Sequence, residues 1–304
     1  MTKETELIRS FVQHWGERSN GIGDDAALLE VPAGEKLVVS TDASVENVHF
    51  RRANVSPAEI GYRAAAAAIS DLAAMAARPI GMLFALVLPV DWRDEATAIA
   101  KGVGAAAGAS RCPVIGGNIS SGEELSITTT VLGASARPLM RSGAKAGDSL
   151  YVTGSLGGPA SAVAEWARGR EPATSCREAF VKPRPRINEA LWLARNGATS
   201  AIDISDGLAA DAAHIAEASG VVVTIDVERI PFAPCTSPQQ ALSGGEDYEL
   251  LITAPALNAD EFQREFAIPL TRIGSVRNGA AEVRIREQGR AVAPPAGFDH
   301  LGNK

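Results

Sequence analysis

Aspartates are the residues whose placement points to chemistry. Asp24 and Asp25 close a glycine loop, Gly21-Ile22-Gly23-Asp24-Asp25. Asp42 ends a β-rich run that begins at Lys36, and Asp71 interrupts an apolar, alanine-rich helical stretch. Asp203 ends another β-run, and Asp206 opens the turn after it, in Asp203-Ile204-Ser205-Asp206-Gly207. Carboxylates at strand ends and in tight loops are oxygen donors suited to hard cations. An unpaired buried carboxylate is costly, so Asp71, flanked by Ile69, Leu72 and Met75, needs a partner, and a cation is a natural one. Several acids in one site repel one another unless an ion such as Mg2+ neutralises them. Each position also has an ordinary reading: Asp24-Asp25 as a solvated turn, Asp206-Gly207 as a helix cap. A metal site accounts for several positions together, whereas caps and turns must be invoked one at a time.

Familiar phosphate-binding motifs do not supply an alternative. Gly143-Ala144-Lys145-Ala146-Gly147-Asp148-Ser149 lacks the lysine after its second glycine that a P-loop requires, and the protein-kinase catalytic-loop set is absent. Gly21 to Ala26 matches the letters of the dinucleotide fingerprint, but a helix precedes it and a strand follows, the reverse of the required order. Phosphates would then be held through metal ions and the backbone amides of glycine loops.

The elements that must position these residues follow from periodicity. Leu7, Ile8, Phe11, Val12 and Trp15 predict an amphipathic helix over 4–15. A strand is expected over 36–41. Ser56-Pro57-Ala58-Glu59 predicts a helix start with a capping box, and the helix should run to about Ala77, before Arg78-Pro79. A strand over 80–88, a helix over 92–109 capped by Asp91, a short strand at Val114-Ile115 leading into Gly116-Gly117-Asn118, and a β-run over 124–135 follow. Residues 136–148 read as a connector, dividing the chain into domains 1–137 and 138–304. The second half predicts strands at 149–153, 201–204, 221–227 and 248–253, helices at 158–168, 187–196 and 208–219, and a hairpin over 282–293. Mixed α and β in both halves places the chain in the α/β or α+β class.

Bulk properties narrow the partners. The chain has 304 residues, a formal net charge of -7, 46% hydrophobic and 21% charged residues, an ordinary globular composition. The acidic balance argues against nucleic acid as a partner. Cys112, Cys176 and Cys235 are an odd set without CxxC spacing, which fits a reducing compartment and packing roles. Ile80 to Val90 is far short of the about 18 apolar residues of a membrane span, and the charged N-terminus reads as helix, so a cytoplasmic protein is expected. His14, His214 and His300 read as ordinary helix or tail positions.

Taken together, the motifs resemble the thiamine-monophosphate kinases of the aminoimidazole ribonucleotide synthetase superfamily. They are Gly21-Ile-Gly-Asp24-Asp25-Ala-Ala, Ser40-Thr41-Asp42 with Val45-Glu46 and Val48-His49-Phe50, Ser70-Asp71-Leu-Ala-Ala-Met75, Gly116-Gly117-Asn118, Gly147-Asp148 with Leu150-Tyr-Val-Thr-Gly154, Asp203-Ile-Ser205-Asp206-Gly207-Leu and Gly244-Gly245-Glu246-Asp247-Tyr248-Glu249-Leu. The resemblance runs in order from about residue 20 to 300. It implies a PurM-like fold of two α/β domains, with the N-terminal sheets of two subunits closing an intersubunit barrel in a homodimer. It implies ATP-dependent phosphorylation of thiamine monophosphate to thiamine diphosphate, with Asp42, Asp71 and Asp206 central to catalysis. Mg2+ would be held by Asp24, Ser40, Thr41, Asp42, Asp71, Asn118, Asp203 and Asp206. ATP would contact Gly117, Asn118, Arg141 and Ser205, and thiamine monophosphate would meet His49, Glu246 and Phe298. The family normally carries Asp where this chain has Asn118, an acceptor without the charge, and glycine where it has Ala77. The departure at Asn118 keeps two other readings open: another ATP-using synthetase of the superfamily, or a catalytically weak nucleotide-binding regulator.

Overall fold

The computed structural model describes residues 3–234 and 236–295, which fold into two compact units. Of these residues, the first comprises those up to Leu72, Ala77–Ala136 and Val181–Pro185; the second comprises Ala73–Ala76, Arg137–Phe180 and those from Arg186 onward.

The first unit is built from α1 (Lys3–Trp15), β1 (Lys36–Val45), α2 (Pro57–Ala74), β2 (Arg78–Leu88), α3 (Ala96–Ser110), β3 (Val114–Ser121) and β4 (Ser126–Ser135). Its sheet has the order β1-β4-β2-β3, with β4 antiparallel to both neighbours and β3 parallel to β2. α1 buries Phe11 and Trp15, and Trp15 lies edge-on to Phe84 of β2 at 6.2 Å. α2 begins with the expected capping box: Ser56 N donates to Glu59 Oε2 at 2.8 Å, and Glu59 N donates to Ser56 Oγ at 3.4 Å. It ends at Ala74, earlier than expected. Ala76 takes a left-handed φ of 47°, and Ala77 N donates back to Leu72 O at 2.8 Å, the six-to-one closure of a Schellman end.

Alanine and glycine let α2 and α3 cross closely. A Cβ on Gly61 would lie 2.0 Å from Ile99 O, and one on Gly102 would lie 1.9 Å from Ala58 O. The helix expected from residue 92 begins instead as a 3-10 turn, Val90–Glu95, and α3 starts at Ala96. Asp91 does not cap it. Its carboxylate is held 2.9 Å from Arg52, whose guanidinium stacks 4.1 Å over the Trp92 ring.

The second unit contains β5 (Ser149–Thr153), α4 (Gly158–Ala167), α5 (Thr174–Val181), α6 (Ile187–Arg195), β6 (Ser200–Asp203), α7 (Leu208–Ser219), β7 (Val221–Asp226), α8 (Pro238–Ser243), β8 (Leu250–Ala254), α9 (Ala259–Phe266), β9 (Leu270–Asn278), β10 (Glu282–Glu287) and β11 (Arg290–Val292). The sheet order is β11-β10-β7-β9-β5-β8-β6; β10 is parallel to β7, the other neighbours are antiparallel, and β10–β11 is the expected hairpin. Leu150, Ile202, Leu208, Ile215, Val223, Leu251 and Ile273 form part of its apolar core. α5, α8 and α9 were not anticipated, because each spans too few turns for its periodicity to register. Strand β9 was missed because Gly274 interrupts its alternation. A Cβ there would lie 1.9 Å from Thr224 O of β7.

Gly102→Ala should destabilise the protein by about 1–3 kcal/mol or more, since the helices must part to admit the methyl group. Urea unfolding measures this, and an unchanged midpoint would refute the close crossing.

Candidate active site

Within the first unit the implied site residues fall into two groups. On β1, Ser40 and Asp42 share a sheet face, two residues apart. Ser40 Oγ donates to Asp71 Oδ2 of α2 at 2.5 Å, so a hydroxyl and a carboxylate meet on the face from which Asp42 also projects. The strand continues through Asp42 to Val45, so Asp42 lies within it rather than at its end, because pairing with β4 persists to Val45↔Ser126. Thr41 projects to the other face, where its hydroxyl lies 2.9 Å from that of Thr130. Beyond Val45 a tight turn carries His49. The Val45 amide donates to His49 Nδ1 at 3.1 Å, which leaves the proton of a neutral ring on Nε2. Glu46 Oε2 accepts from Trp92 Nε1 at 2.9 Å and anchors that turn.

The second group lies across the sheet. Gly117 and Asn118 sit within β3, which runs on past the short strand expected at Val114-Ile115. A Cβ on Gly117 would lie 1.8 Å from Phe84 O, so the backbone there admits only glycine. Asn20 N donates to Val114 O at 2.9 Å, tying the segment that leads into the exposed Asp24-Asp25 loop to the same strand. The register gives one row across the sheet: Asp42↔Thr129, Thr129↔Phe84, Phe84↔Gly117. Three inter-strand spacings separate Asp42 from Gly117, about 14 Å. Asp42 and Asn118 therefore stand on the two outer strands of this sheet, while the Asp24-Asp25 loop lies on the β3 side.

In the second unit, β6 delivers the buried Asp203 to the turn Ile204-Ser205-Asp206-Gly207, from which α7 departs. The N-cap of α7 is Gly207, and no side chain caps it, so Asp206 is not a capping residue. Asp211, in the first turn of α7, reaches back instead. Its Oδ2 accepts from Ser205 N at 3.1 Å and Asp206 N at 3.2 Å. Burial, reinforced by the charges of Asp203 and Asp206, pushes the Asp211 carboxyl up to about 8. Asp206, Asp211 and His214 place one ligand atom each within 4.8 Å of one another.

The Gly244–Glu249 segment is bound to that turn. Glu246 N donates to Ser205 O at 2.8 Å, Tyr248 N to Ile204 O at 2.9 Å, and Ile204 N to Glu249 O at 2.8 Å. Glu246 and Tyr248 hold left-handed φ values of 71° and 51°, which cost on the order of 1–3 kcal/mol each. Two clamps hold them. Asp247 Oδ1 accepts from Gly157 N at 2.8 Å, and the buried Glu249 carboxylate accepts from Arg186 Nε at 2.8 Å and Thr153 Oγ1 at 2.5 Å. Asp247 Oδ2 is buried without a hydrogen-bond partner among the described residues, and burial raises its carboxyl well above the usual range. Asp211, Arg186 and the clamping role of Asp247 and Glu249 escaped the sequence reading. A carboxylate within the first turn after Asp203–Gly207 was the available signal for Asp211.

Ser205 and Arg141 lie at opposite ends of α7. Ser219, the last residue of the helix, donates from Oγ to Arg141 O at 2.7 Å, and twelve helical residues span about 18 Å. Phe298, like Cys235 and His300, lies outside the described residues.

Apart from His214 the donors are hard oxygens, hydroxyl and carboxylate, and in the second unit the charges of Asp203 and Asp206 act on Asp211. That chemistry fits Mg2+.

The halves of the chain match the two domains of one family: AIR synthase related protein, N-terminal domain, over residues 23–135, and AIR synthase related protein, C-terminal domain, over 145–286. The thiamine-monophosphate kinase of Escherichia coli K12 is 37% identical over 304 residues, covering 92% of this chain and 91% of that one. The crystal structure of the thiamine-monophosphate kinase from Stenotrophomonas maltophilia K279a superposes with a TM-score of 0.84 at 35% identity, covering 93% of this chain and 97% of that one. AaThiL complexed with AMPPCP and TMP superposes with a TM-score of 0.79 at 31% identity, covering 99% of each chain. This chain thus has the two-domain plan of the AIR synthase related proteins, and it belongs to the thiamine-monophosphate kinase family. No helix among the described residues is long and apolar enough to cross a membrane.

Because the folded-state pKa of Asp211 is raised above its ordinary 3.8, the native state holds an extra proton between about pH 4 and pH 8. This contribution to stability therefore falls as pH rises through that window. Asp211→Asn keeps an acceptor for the two amides and removes the titration. In metal-free buffer, wild-type urea midpoints should decline more steeply from pH 4.5 to 8 than those of the variant; parallel slopes would refute the assignment.

Proposed function

We propose that the chain transfers the γ-phosphoryl of ATP in line onto the phosphate of thiamine monophosphate, giving thiamine diphosphate, and that it does so as a homodimer. The observation that carries this reading is the likeness, over 99% of both chains, to a ThiL held with an ATP analogue and TMP. The setting is a reducing cytoplasm, in keeping with the buried free thiols of Cys112 and Cys176.

Two features of the first unit support the dimer. One face of its sheet leaves Leu37, Val39 and Leu83 exposed, at 49%, 55% and 38%. Apolar strand residues in such numbers mark a face that another sheet covers. The separation of Asp42 from Asn118 is the second feature: a partner's β3 edge can supply what one chain places about 14 Å away. The intersubunit barrel is the arrangement that meets both.

The acceptor phosphate is already largely dianionic near neutral pH, so the reaction requires no strong base. The task of the protein is alignment and charge neutralisation. Ser40, Asp42 and Asp71, with the Thr41 backbone, make one set of Mg2+ donors; Asp203 and Asp206 make another; Asp24 and Asn118 complete the ligands. Bound Mg2+ supplies the positive charge that lets two anionic phosphates approach. Gly117, Asn118, Arg141 and Ser205 hold the nucleotide. His49, its tautomer set by the Val45 amide, donates from Nε2 to thiamine monophosphate, Glu246 pairs with the thiazolium cation, and Phe298 stacks on a ring.

Asp42→Asn and Asp71→Asn should each lower thiamine diphosphate formation by orders of magnitude in an assay with ATP, Mg2+ and thiamine monophosphate. Near-normal turnover at limiting Mg2+ would remove them from the metal site. Mixing Asp42→Asn subunits with Asn118→Ala subunits should restore up to about a quarter of wild-type activity, since half the dimers then contain one intact shared site. No recovery, with subunit exchange verified, would show that the site is not shared. Asn118→Asp should lower the Mg2+ concentration for half-maximal rate, and an unchanged titration would show that position 118 is no ligand.

A further inference from the structure

The connector that carries Arg141 is held more firmly than a linker requires. Arg141–Gly143 forms a 3-10 turn at the C-terminal end of α7. The Ser219 hydroxyl both donates to Arg141 O at 2.7 Å and accepts from Ala144 N at 3.1 Å, bracketing the turn with one side chain. On its other side the turn abuts the start of β6, where a Cβ on Gly143 would lie 1.8 Å from Thr199 O. The next residues are fixed by the buried Asp148, whose Oδ2 accepts from Lys145 N at 2.9 Å and Thr199 Oγ1 at 2.6 Å. A backbone so fully satisfied presents the Arg141 side chain to solvent, and its guanidinium has no ion-pair or hydrogen-bond partner among the described residues. An immobilised turn fixes the point from which this guanidinium can reach a ligand.

The ends of α7 differ in chemistry. Its N-terminal end carries Ser205, Asp206 and Asp211, suited to a metal-bound polyphosphate, while Arg141 stands about 18 Å away at the other end. An extended nucleoside triphosphate has a charged end and an aromatic end set far apart in this way, and a guanidinium stacks on aromatic faces. We propose that Ser219 is a positioning residue that holds Arg141 against the base end of the nucleotide, so that the pair sets affinity for ATP and not the rate of phosphoryl transfer. This rests on the reading above that Arg141 contacts ATP.

Steady-state kinetics of the full-length enzyme test it. Ser219→Ala should raise KM for ATP about 10-fold, equivalent to about 1.4 kcal/mol. Its kcat and its KM for thiamine monophosphate should stay within about twofold, the signature of lost uniform binding remote from the reacting atoms. Ser219→Thr, which keeps the hydroxyl, should restore most of the ATP affinity. Arg141→Ala should raise KM for ATP at least as much, and the double variant should be no worse than Arg141→Ala alone. An unchanged KM in Arg141→Ala would overturn the nucleotide contact and this proposal with it. A raised KM in Arg141→Ala with wild-type or fully additive behaviour of Ser219→Ala would overturn the positioning role alone. A fall in kcat in either single variant would overturn placement at the base end.

Discussion

Mutual repulsion among Asp203, Asp206 and Asp211 is the constraint on which the second unit is organised. An apolar core delivers Asp203 at the end of β6 and Asp211 at the start of α7, and neither strand nor helix can relax without losing that core. The carboxylates are left to resolve their proximity by binding a proton or a cation. Burial and the charges of Asp203 and Asp206 favour a proton on Asp211, against the pull of the two turn amides that its Oδ2 accepts from. A site built this way is most stable when filled, because the ligand relieves a strain that folding imposes.

The same logic extends to the Gly244–Glu249 segment. Two residues in left-handed conformations persist because Asp247 and the Arg186–Glu249 pair hold them from behind. Backbone strain held by surrounding contacts serves to fix a side chain in one direction, here Glu246. The buried ion pair is better understood as a device for geometry than as a source of stability, since desolvation offsets much of its attraction.

The first unit faces a different constraint, one of distance. A four-stranded sheet separates its outer strands by three fixed spacings, and Asp42 and Gly117 occupy one row on opposite edges. Side-chain motion does not close such a gap. The uncovered apolar residues Leu37, Val39 and Leu83 lie on the face away from Ser40 and Asp42, the face to which Thr41 projects.

Much was legible beforehand for physical reasons that act locally. The α2 capping box and the β10–β11 hairpin depend on neighbours a few residues away, and each formed as the residue types dictate. Motif order carried family membership, because those residue types recur at fixed intervals. What the chain alone could not reveal was pairing at long range. That Ser40 meets Asp71, that Asp211 holds the turn after Asp203, that Arg186 backs Glu249, and that Ser219 holds Arg141 all depend on which elements pack together. The amino-acid sequence by itself determined which groups are available and which local conformations they favour. Tertiary structure decided their distances, because only strand register and helix packing convert positions along a chain into positions in space.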